Sequence, residues 1–315
     1  MNILVTGGCG YVGSLLVPEL LKQKFKVTVI DTQWFGNKLK KNSKLKVIKL
    51  DIRDIEKINL NNIDTIIHLA GIANDPGADL NESLSWDINV LATKKLIEKA
   101  VKNKVKHFIY ASSGSVYGIK NEKKVTEDLE LVPISTYNKT KMIAEDVLMN
   151  FKKNIKIHCI RPATVCGVSP RMRFDVSVNL LTMHAIKKNQ ITVLGGKQIR
   201  PNIHIKDMVR VYLHFLKKSN LPSGAYNAGF ENISIIDIAK KIKKIINSEI
   251  IVKKSNDPRS YRQSSIKLLK TGFIPNYSVE YAIKEIIKNY SPKRAIEKNC
   301  FTVKWMKKLK LDRQR

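Results

Sequence analysis

The stretch Thr6-Gly7-Gly8-Cys9-Gly10-Tyr11-Val12-Gly13 decides the fold of this chain. An apolar run, Asn2 to Val5, precedes it, and an amphipathic pattern from about Tyr11 to Gln23 follows it. Glycine at positions 7 and 10 allows a tight turn and the close approach of the backbone to a pyrophosphate, while Gly13 lets helix and strand pack together. The N-terminus of the helix adds partial positive charge. The stretch therefore predicts a dinucleotide-binding turn, with its glycines, Tyr11 and Val12 against the cofactor.

A carboxylate stands at the end of the second predicted strand, at Asp31, eighteen residues after Gly13. A carboxylate in this position accepts hydrogen bonds from both hydroxyls of the adenosine ribose and repels a 2′-phosphate. No arginine occurs in the ten residues that follow it. We therefore predict that the cofactor is NAD rather than NADP.

Short β-branched runs alternate with amphipathic stretches through the first half of the chain. The predicted strands are Asn2 to Val5, Val27 to Ile30, Lys46 to Leu50, Thr65 to Leu69, His107 to Ala111 and Ile155 to Ile160. The predicted helices between them are Tyr11 to Gln23, Leu84 to Val101 and Tyr137 to Asn150. Because strands separated by helices need crossover connections, we predict an α/β fold: a Rossmann-type, doubly wound parallel sheet with helices on both faces.

The alternation loosens beyond Cys166, where loops that contain Gly, Pro and Arg separate the helices. Further helices are predicted at Ser177 to Lys188, Ile205 to Lys217, Ser234 to Asn247 and Val279 to Lys288. We divide the chain into an NAD-binding Rossmann domain, residues 1–166, and a smaller region, residues 167–315. That region mainly binds substrate, whether or not it also contributes to the sheet. The basic end, Lys293 to Arg315, is interpreted as a solvated tail.

The charge of the chain is its most unusual overall property, because 57 Lys and Arg residues against 27 Asp and Glu residues give a formal net charge of +30. A hydrophobic content of 43% over 315 residues excludes intrinsic disorder. Surfaces that bind nucleic acid typically carry a stripe of basic residues interleaved with aromatic residues. The basic residues of this chain do not form such a stripe. We therefore expect no nucleic acid partner and interpret most of the lysines as solvated surface.

The four cysteines, Cys9, Cys159, Cys166 and Cys300, form no CxxC pair and have no histidine at zinc-site spacing. They predict neither a metal site nor a disulfide framework. Met1 leads directly into an apolar run without a basic signal region, and no apolar run is long enough to span a bilayer. We therefore expect a cytoplasmic protein without an integral membrane segment.

The segment Tyr137-Asn138-Lys139-Thr140-Lys141 begins a predicted helix and places Tyr137 and Lys141 on one face, four residues apart. A phenol with a pKa near ~10 is a poor base at neutral pH, but an adjacent ammonium group and a nicotinamide cation stabilise the phenolate. The segment Tyr110 to Gly118 ends a predicted strand in hydroxyl groups at the carboxyl edge of the sheet. We expect a serine there to bond the oxygen of a sugar or alcohol and to relay its proton to Tyr137.

Taken in order, these segments resemble the extended short-chain dehydrogenase/reductases, and specifically the nucleotide-sugar epimerase/dehydratase family related to UDP-galactose 4-epimerase. The resemblance covers nearly the whole chain. Further matching landmarks are Asp51-Ile52, His68-Leu69-Ala70-Gly71, Pro133 to Lys141, Arg161 to Gly167 and Arg200 to His204. The resemblance implies an NAD-dependent enzyme acting on a nucleotide-diphosphate sugar. It also implies a homodimer formed through the helices at Leu84 to Val101 and Tyr137 to Asn150.

The resemblance further implies roles for individual residues. The implied catalytic residues are Ser113, Tyr137 and Lys141, with Tyr137 as the base and Lys141 lowering its pKa and holding the nicotinamide ribose. The implied cofactor contacts, besides the glycine turn and Asp31, are Asp51, Ile52, Leu69, Ala70, Gly71, Tyr137, Lys141 and Thr164. The implied substrate contacts are Ser113, Ser115, Asn179, Arg200, Arg259 and Arg262, of which the arginines suit diphosphate oxygens.

Two departures from the family pattern narrow the reaction. Gly114-Ser115 stands where the 4,6-dehydratases carry Asp-Glu, and Ser113 stands where the C3/C5 epimerases carry cysteine. Both departures argue against those reactions. What remains is hydride transfer at a secondary alcohol, with C4 of a hexose or heptose ring as the expected position.

Three functions stay open on the sequence. Similarity of the overall pattern to enzymes that modify GDP-heptose for bacterial capsules favours NAD-dependent oxidation to a 4-keto sugar by a GDP-heptose-type 4-dehydrogenase. A 4-epimerase, similar to those acting on UDP-glucose and UDP-galactose, shares the first half-reaction but returns the hydride to the ring. A non-catalytic protein that binds a nucleotide or RNA on a Rossmann fold is the third.

Overall fold

The structure is a computed structural model that describes residues 1–255, 260–295 and 297–311. The strands within those ranges are β1 Asn2–Thr6, β2 Lys26–Asp31, β3 Leu45–Lys49, β4 Thr65–His68, β5 His107–Ala111, β6 Lys156–Pro162, β7 Thr164–Cys166, β8 Gln190–Leu194, β9 Ile199–His204, β10 Gly224–Ala228, β11 Glu231–Ser234 and β12 Glu249–Lys253. The helices are α1 Gly13–Lys22, α2 Asp75–Ala78, α3 Glu82–Trp86, α4 Ala92–Lys102, α5 Thr136–Met149, α6 Ser177–Lys188, α7 Ile205–Lys217, α8 Ile235–Ile245, α9 Ile266–Leu269, α10 Val279–Lys288, α11 Pro292–Ala295 and α12 Thr302–Lys308.

Seven strands form one parallel sheet in the order β10-β6-β5-β4-β1-β2-β3. The order reverses between β1 and β4, and ligands of open α/β sheets bind outside the carboxyl ends of strands at such a switch point. The predicted doubly wound fold is therefore confirmed. The sheet places the ends of β1, β2, β4 and β5 around one opening.

Both faces of the sheet are covered by apolar side chains. Successive residues of β1 alternate between the two layers: Leu4 packs with Phe108 and Leu148 on one face, while Val5 packs with Leu16 on the other. This alternation follows from the period of two along a strand. Strands that are buried on both faces are expected in a parallel sheet covered by crossover helices.

The C-terminal part of the chain builds two smaller sheets and also joins the large one. Strands β11, β9 and β7 form a three-stranded sheet, and β12 pairs with β8 in parallel. Helices α6, α8 and α10 pack around a separate apolar cluster. Strand β10 extends the large sheet and α7 packs against α1, so residues beyond 166 contribute to the Rossmann part. The division after residue 166 stays a prediction.

The single helix predicted from Leu84 to Val101 is interrupted. Helices α3 and α4 are joined by a turn of π-helix, Asp87–Leu91, which contains Asn89. The Asn89 side chain accepts a hydrogen bond from Ile72 N at 2.8 Å and donates to Thr140 Oγ1 at 3.0 Å. The wider turn therefore accommodates a buried amide that joins the loop after β4 to α5, and the sequence pattern carried no signal for it.

The interpretation of Lys293 to Arg315 as a solvated tail is wrong for the residues that the structure describes. Helix α12 packs against α2, and the side chains of Met306 and Leu311 belong to the main apolar cluster. The indole N–H of Trp305 donates to the carbonyl oxygen of Trp34. The apolar residues between the lysines lie on the face of α12 that meets the sheet domain, and burial of this face outweighs the local positive charge. Residues 312–315 lie outside the described residues.

Within residues 1–255, 260–295 and 297–311, no helix combines the length and the apolar character needed to cross a membrane.

Candidate active site

The turn between β1 and α1 lies against the backbone that follows β4. Gly7 has a φ of +71°, and a Cβ there would come within 2.6 Å of Ala70 N. A Cβ on Gly13 would lie 2.6 Å from the carbonyl oxygen of Gly7. Both positions therefore require glycine, as the sequence pattern predicted. The turn leaves the backbone at the start of α1 open to a ligand.

A cleft of about 240 Å³ opens at the carboxyl ends of the central strands. Thirteen of the predicted cofactor residues line it: Gly7, Gly10, Tyr11, Val12, Gly13, Asp31, Asp51, Ile52, Leu69, Ala70, Gly71, Tyr137 and Lys141. Thr164, in β7, is not among the lining residues. The structure therefore brings the predicted set together at the switch point, with Thr164 as the exception.

Asp31 closes the end of the cleft beside the second strand. Its carboxylate accepts hydrogen bonds from Cys9 N at 2.9 Å and from Gln33 N at 2.6 Å. Burial raises the pKa of Asp31, while these two bonds and the charge of Arg171 lower it. A carboxylate oxygen can accept more than one hydrogen bond, so both oxygens of Asp31 can still accept from ribose hydroxyls.

Arg171 is a cleft residue that the sequence analysis gave no role. Its side chain is buried, with 6% of the residue exposed, and neither Nε nor Nη1 has a partner among the described residues. Nη2 makes a long contact of 3.4 Å with Thr302 Oγ1. Burial lowers the pKa of Arg171 to about 10. The segment from Ser169 to Asp175 contains two arginines. Only the folded chain brings this loop against the start of α1, where Arg171 N donates to Ser14 Oγ.

Arg173 also lines the cleft and is held by a carboxylate. Its Nε lies 2.9 Å from Asp175 Oδ1, and Asp175 accepts a second hydrogen bond from Thr302 N at 3.0 Å. Arg173 holds the pKa of Asp175 at about 2 against the effect of burial. The start of α12 therefore helps to fix the position of a second cleft cation.

Tyr137 and Lys141 lie on the same face of α5, as their spacing predicted. Lys141 Nζ donates to Ala111 O at 2.8 Å and lies 4.8 Å from the centre of the Tyr110 ring. Burial lowers the pKa of Lys141 to about 8, although Glu145 opposes this. The ammonium group is thus held at the end of β5, in the cleft that Tyr137 also lines.

The Tyr137 hydroxyl keeps its proton in the ligand-free state. Burial raises the pKa of Tyr137 to about 12, a hydrogen bond with Ser113 and the charge of Arg173 lower it, and the charge of Asp75 raises it. Lys141 is not among the groups that set this value. The lowering of the Tyr137 pKa by Lys141 and a nicotinamide cation stays a prediction for the loaded enzyme.

The serines after β5 have different partners. Ser113 bonds Tyr137 and lies 2.7 Å from Ser115 Oγ, which donates to Asn138 Oδ1 at 2.6 Å. Ser112 turns the other way and donates to Glu145, which forms a buried ion pair with Arg161. Only Ser113 and Ser115 therefore extend the hydroxyl cluster toward Tyr137.

None of the predicted substrate residues that the structure describes is among the lining residues of the cleft, and this includes Ser113 and Ser115, whereas Ser112 lines it. Asn179 is buried, its Oδ1 accepts from Gly167 N at 2.9 Å, and its Nδ2 donates to Tyr11 Oη at 3.0 Å. Arg200 lies in β9, and Arg262 is exposed next to the residues that bridge to the loop before α5. Arg259 lies outside the described residues. Their contacts with substrate stay predictions.

Within the three described ranges, no group of three or more His, Cys, Asp or Glu side chains is arranged to hold a metal ion.

Residues 3–229 match the NAD dependent epimerase/dehydratase family. The chain belongs to this family. It is therefore an enzyme, and NAD is its cofactor. The glycine turn at Gly7 and Gly13 and the unpartnered donors of Arg171 fit a dinucleotide in the cleft.

Several characterised proteins are similar to this chain over most of its length. The UDP-glucose 4-epimerase of Lactobacillus helveticus is 29% identical over 300 residues, which cover 85% of this chain and 89% of that protein. A UDP-glucose 4-epimerase structure from Thermotoga maritima with UDP-glucose has a TM-score of 0.84 and 26% identity and covers 94% of this chain and 100% of that one. The UDP-glucuronic acid 4-epimerase of Bacillus cereus in complex with UDP-glucuronic acid and NAD has a TM-score of 0.80 and 28% identity, with coverages of 92% and 100%.

Proposed function

We propose that this enzyme oxidises a nucleotide-diphosphate sugar at C4 and then returns the hydride to the ring, which makes it a nucleotide-sugar 4-epimerase. The observation that carries the proposal is that Tyr137 and Lys141 line the same cleft as the phosphate-binding turn. The names of the relatives support return of the hydride, since they are 4-epimerases. They give no support to a GDP-heptose 4-dehydrogenase in particular, so net oxidation of that sugar stays a prediction.

Tyr137 is the proposed base. When bound, NAD supplies the acceptor for the hydride that leaves the ring carbon. The Tyr137 oxygen takes the proton of the C4 hydroxyl, and it gives the proton back when the keto sugar is reduced. Because burial raises the Tyr137 pKa to about 12, the base needs added positive charge before it is effective near neutral pH. Lys141, in the same cleft, and the nicotinamide ring are the proposed sources of that charge.

Ser113 is proposed to bond the same C4 oxygen as Tyr137. A hydroxyl group both donates and accepts, so it holds the substrate oxygen as an alcohol and as a ketone. Ser115, one step further along the cluster, is proposed as a substrate contact through this hydroxyl group. These roles agree with the direction in which both serines extend, away from the Glu145 network that engages Ser112.

The cleft cations are proposed to hold the phosphates. Arg171 has two unpartnered N–H donors and lies against the start of α1, which suits the cofactor pyrophosphate. Arg173, locked by Asp175, lies close enough to Tyr137 to lower its pKa, which suits a substrate phosphate near the reacting centre. Asn179, Arg200 and Arg262 keep their predicted substrate roles as proposals, and Arg259 cannot be placed.

Three further proposals concern the assembly, the location and the pathway of the enzyme. A homodimer is proposed through α3, α4 and α5, and the 52% exposure of Leu91 between α3 and α4 supports an apolar contact there. A cytoplasmic location and a place in surface polysaccharide synthesis are likewise proposed. Sedimentation equilibrium of wild type and Leu91→Asp tests the dimer, since a buried charge would shift the assembly to monomer.

The proposed function is tested with purified enzyme, NAD and a panel of UDP-, GDP-, CDP- and dTDP-sugars. The expected result is an epimeric product by NMR without accumulated NADH, and its loss in Tyr137→Phe. Accumulated NADH with a 4-keto product would select the dehydrogenase. Absence of turnover with every sugar, in a preparation that retains NAD, would contradict the catalytic proposal. Salt-dependent RNA binding under those conditions would favour the non-catalytic alternative.

A further inference from the structure

A chain of hydrogen-bonded side chains runs from Tyr137 through two serines to Asn138. Ser113 faces Tyr137 and lowers its pKa as a hydrogen-bond partner. Ser113 Oγ lies 2.7 Å from Ser115 Oγ, and Ser115 Oγ donates to Asn138 Oδ1 at 2.6 Å. Asn138 is fully buried, and its Nδ2 has no hydrogen-bond partner among the described residues. The serine chain therefore ends at an amide whose Oδ1 is hydrogen-bonded and whose Nδ2 has no partner among the described residues.

The direction of the hydrogen bonds is set at this end. Because Oδ1 only accepts, Ser115 donates to it, Ser113 then donates to Ser115, and Ser113 is left to accept from the Tyr137 hydroxyl. The backbone N–H of Ser115 also bonds Ser113 Oγ, at 3.2 Å, and this bond is compatible with either direction. This direction therefore favours Tyr137 as a neutral phenol.

A half-turn of the Asn138 amide reverses the chain. Nδ2 then donates to Ser115, Ser115 donates to Ser113, and Ser113 donates to the Tyr137 oxygen. This direction favours the phenolate, because a hydrogen bond to the charged form stabilises that form. A buried Nδ2 group without a hydrogen-bond partner costs free energy. The reversed direction gives this group a partner, Ser115, which is a reason for an asparagine at this position.

We propose that Asn138 is a positioning residue of the active site, whose side-chain amide sets the direction of the serine chain and so selects between phenol and phenolate at Tyr137. The inference rests on the proposed function, in which Tyr137 is the base. In the oxidation, the C4 hydroxyl proton passes to the Tyr137 oxygen while the hydride leaves the ring carbon. Each serine keeps its own proton and turns its O–H bond, so the chain reverses without net proton transfer.

Charged and titratable groups on several elements face Tyr137. They are Asp75 at the start of α2, Tyr110 in β5, Lys141 in α5, Arg173 after β7 and Tyr212 in α7. Substitution of Asn138 or Ser115 leaves all of them in place. A change in the Tyr137 pKa between the variants described below is therefore attributable to the hydrogen-bonded serines.

The test measures the ionisation of Tyr137 in NAD-loaded protein without any sugar. Phenolate absorbance is followed from about pH 6 to about pH 11, and the same curve from a matched Tyr137→Phe variant is subtracted. Asn138→Asp offers acceptors only, so it fixes the phenol direction and raises the apparent pKa of Tyr137 by about one unit. Asn138→Leu removes the acceptor, Ser115 turns back toward Ser113, and the apparent pKa falls by roughly half a unit.

A double-mutant cycle separates the chain from the added charge of aspartate. In a Ser115→Ala background the link is cut, so Asn138→Asp is expected to lose most of its effect on the Tyr137 pKa. An Asp shift of the same size in that background would overturn the proposal, as would shifts in the same direction for Asp and Leu. If Asn138→Asp does not fold, Asn138→Leu and Ser115→Ala decide the question. Both variants lower the Tyr137 pKa if the serine chain sets its ionisation. Neither variant lowers it if the serine chain is only structural.

The readout needs no turnover, so the two proposals fail separately. A directional shift in the Tyr137 pKa with no sugar oxidised would contradict the proposed function alone. Epimerisation that depends on Tyr137, with no response of its pKa to Asn138, would contradict the positioning role alone.

Discussion

The guanidinium carbon of Arg171 lies 4.0 Å from the centre of the Phe35 ring. This contact packs the cation, which belongs to the loop after β7, against the loop after β2. Thr302, the first residue of α12, contacts the same guanidinium group. Three distant parts of the chain therefore enclose one buried cation that has no carboxylate bonded to it among the described residues. An anionic ligand is the natural complement of such a group.

We expect Arg171→Met to weaken NAD binding by about 10- to 100-fold, because two charge-assisted hydrogen bonds are lost. The same change is expected to raise the free energy of unfolding of the NAD-free protein by about 1 kcal/mol, because an unpaired buried charge is removed. Calorimetric titration with NAD and urea unfolding measure the two effects. Arg210→Met is the matched control, since Arg210 pairs with Asp207 on α7. Equal NAD affinity in the Arg171 variant would contradict the phosphate role.

The Asn179 side chain makes four hydrogen bonds within the protein: Oδ1 accepts one from Gly167 N, and Nδ2 donates to Tyr11 Oη, Gly167 O and Arg173 O. We expect Asn179→Ala to lower the free energy of unfolding by about 1–3 kcal/mol without substrate, because Gly167 N and Tyr11 lose buried partners. Lys187→Ala, exposed on the same helix, is expected to change it by less than about 0.5 kcal/mol. Chemical denaturation compares the two. An unchanged Asn179→Ala variant would favour the substrate contact that the sequence suggests.

The glycine turn, Asp31 and the Tyr137–Lys141 pair could be predicted because each depends on local spacing next to a recognisable strand or helix. Arg171 could not, because its position depends on the bond between Tyr11 Oη and Gly167 O, 156 residues apart in the chain. The prediction of a solvated tail at the end of the chain is wrong for a related reason. Its lysines dominate the composition, whereas Met306 and Leu311 find their apolar partners only in the folded protein.

Docking of α12 has a measurable stability. We expect Met306→Ala to lower the free energy of unfolding by about 2–5 kcal/mol, because a fully buried side chain is truncated. Lys307→Ala, next to it and exposed, is expected to change it by less than about 0.5 kcal/mol. Urea unfolding of both variants makes the comparison. Equal effects would mean that the helix does not pack as the structure shows.

Lys141 is expected to make stability depend on alkaline pH. Its pKa is lowered from 10.5 to about 8 in the folded state, so between these values the unfolded chain binds more protons. The free energy of unfolding therefore gains from this group as pH rises through that window, by about 3 kcal/mol in total. The difference between wild type and Lys141→Met, followed by urea unfolding from about pH 7.5 to about pH 10, measures this contribution. The exposed Lys139→Met should give a constant difference, and the same flat result for Lys141→Met would contradict the burial effect.

In the proposed reaction, hydride leaves C4 and returns to it while Tyr137 carries the proton. The most direct measurement uses a sugar nucleotide from the panel, deuterated at C4, and follows its product by NMR. We expect an epimer that keeps deuterium at C4, formed by wild type and slowed at least ~100-fold in Tyr137→Phe. An epimer whose C4 deuterium has been replaced by hydrogen from water, or one formed equally fast without the phenol, would contradict it.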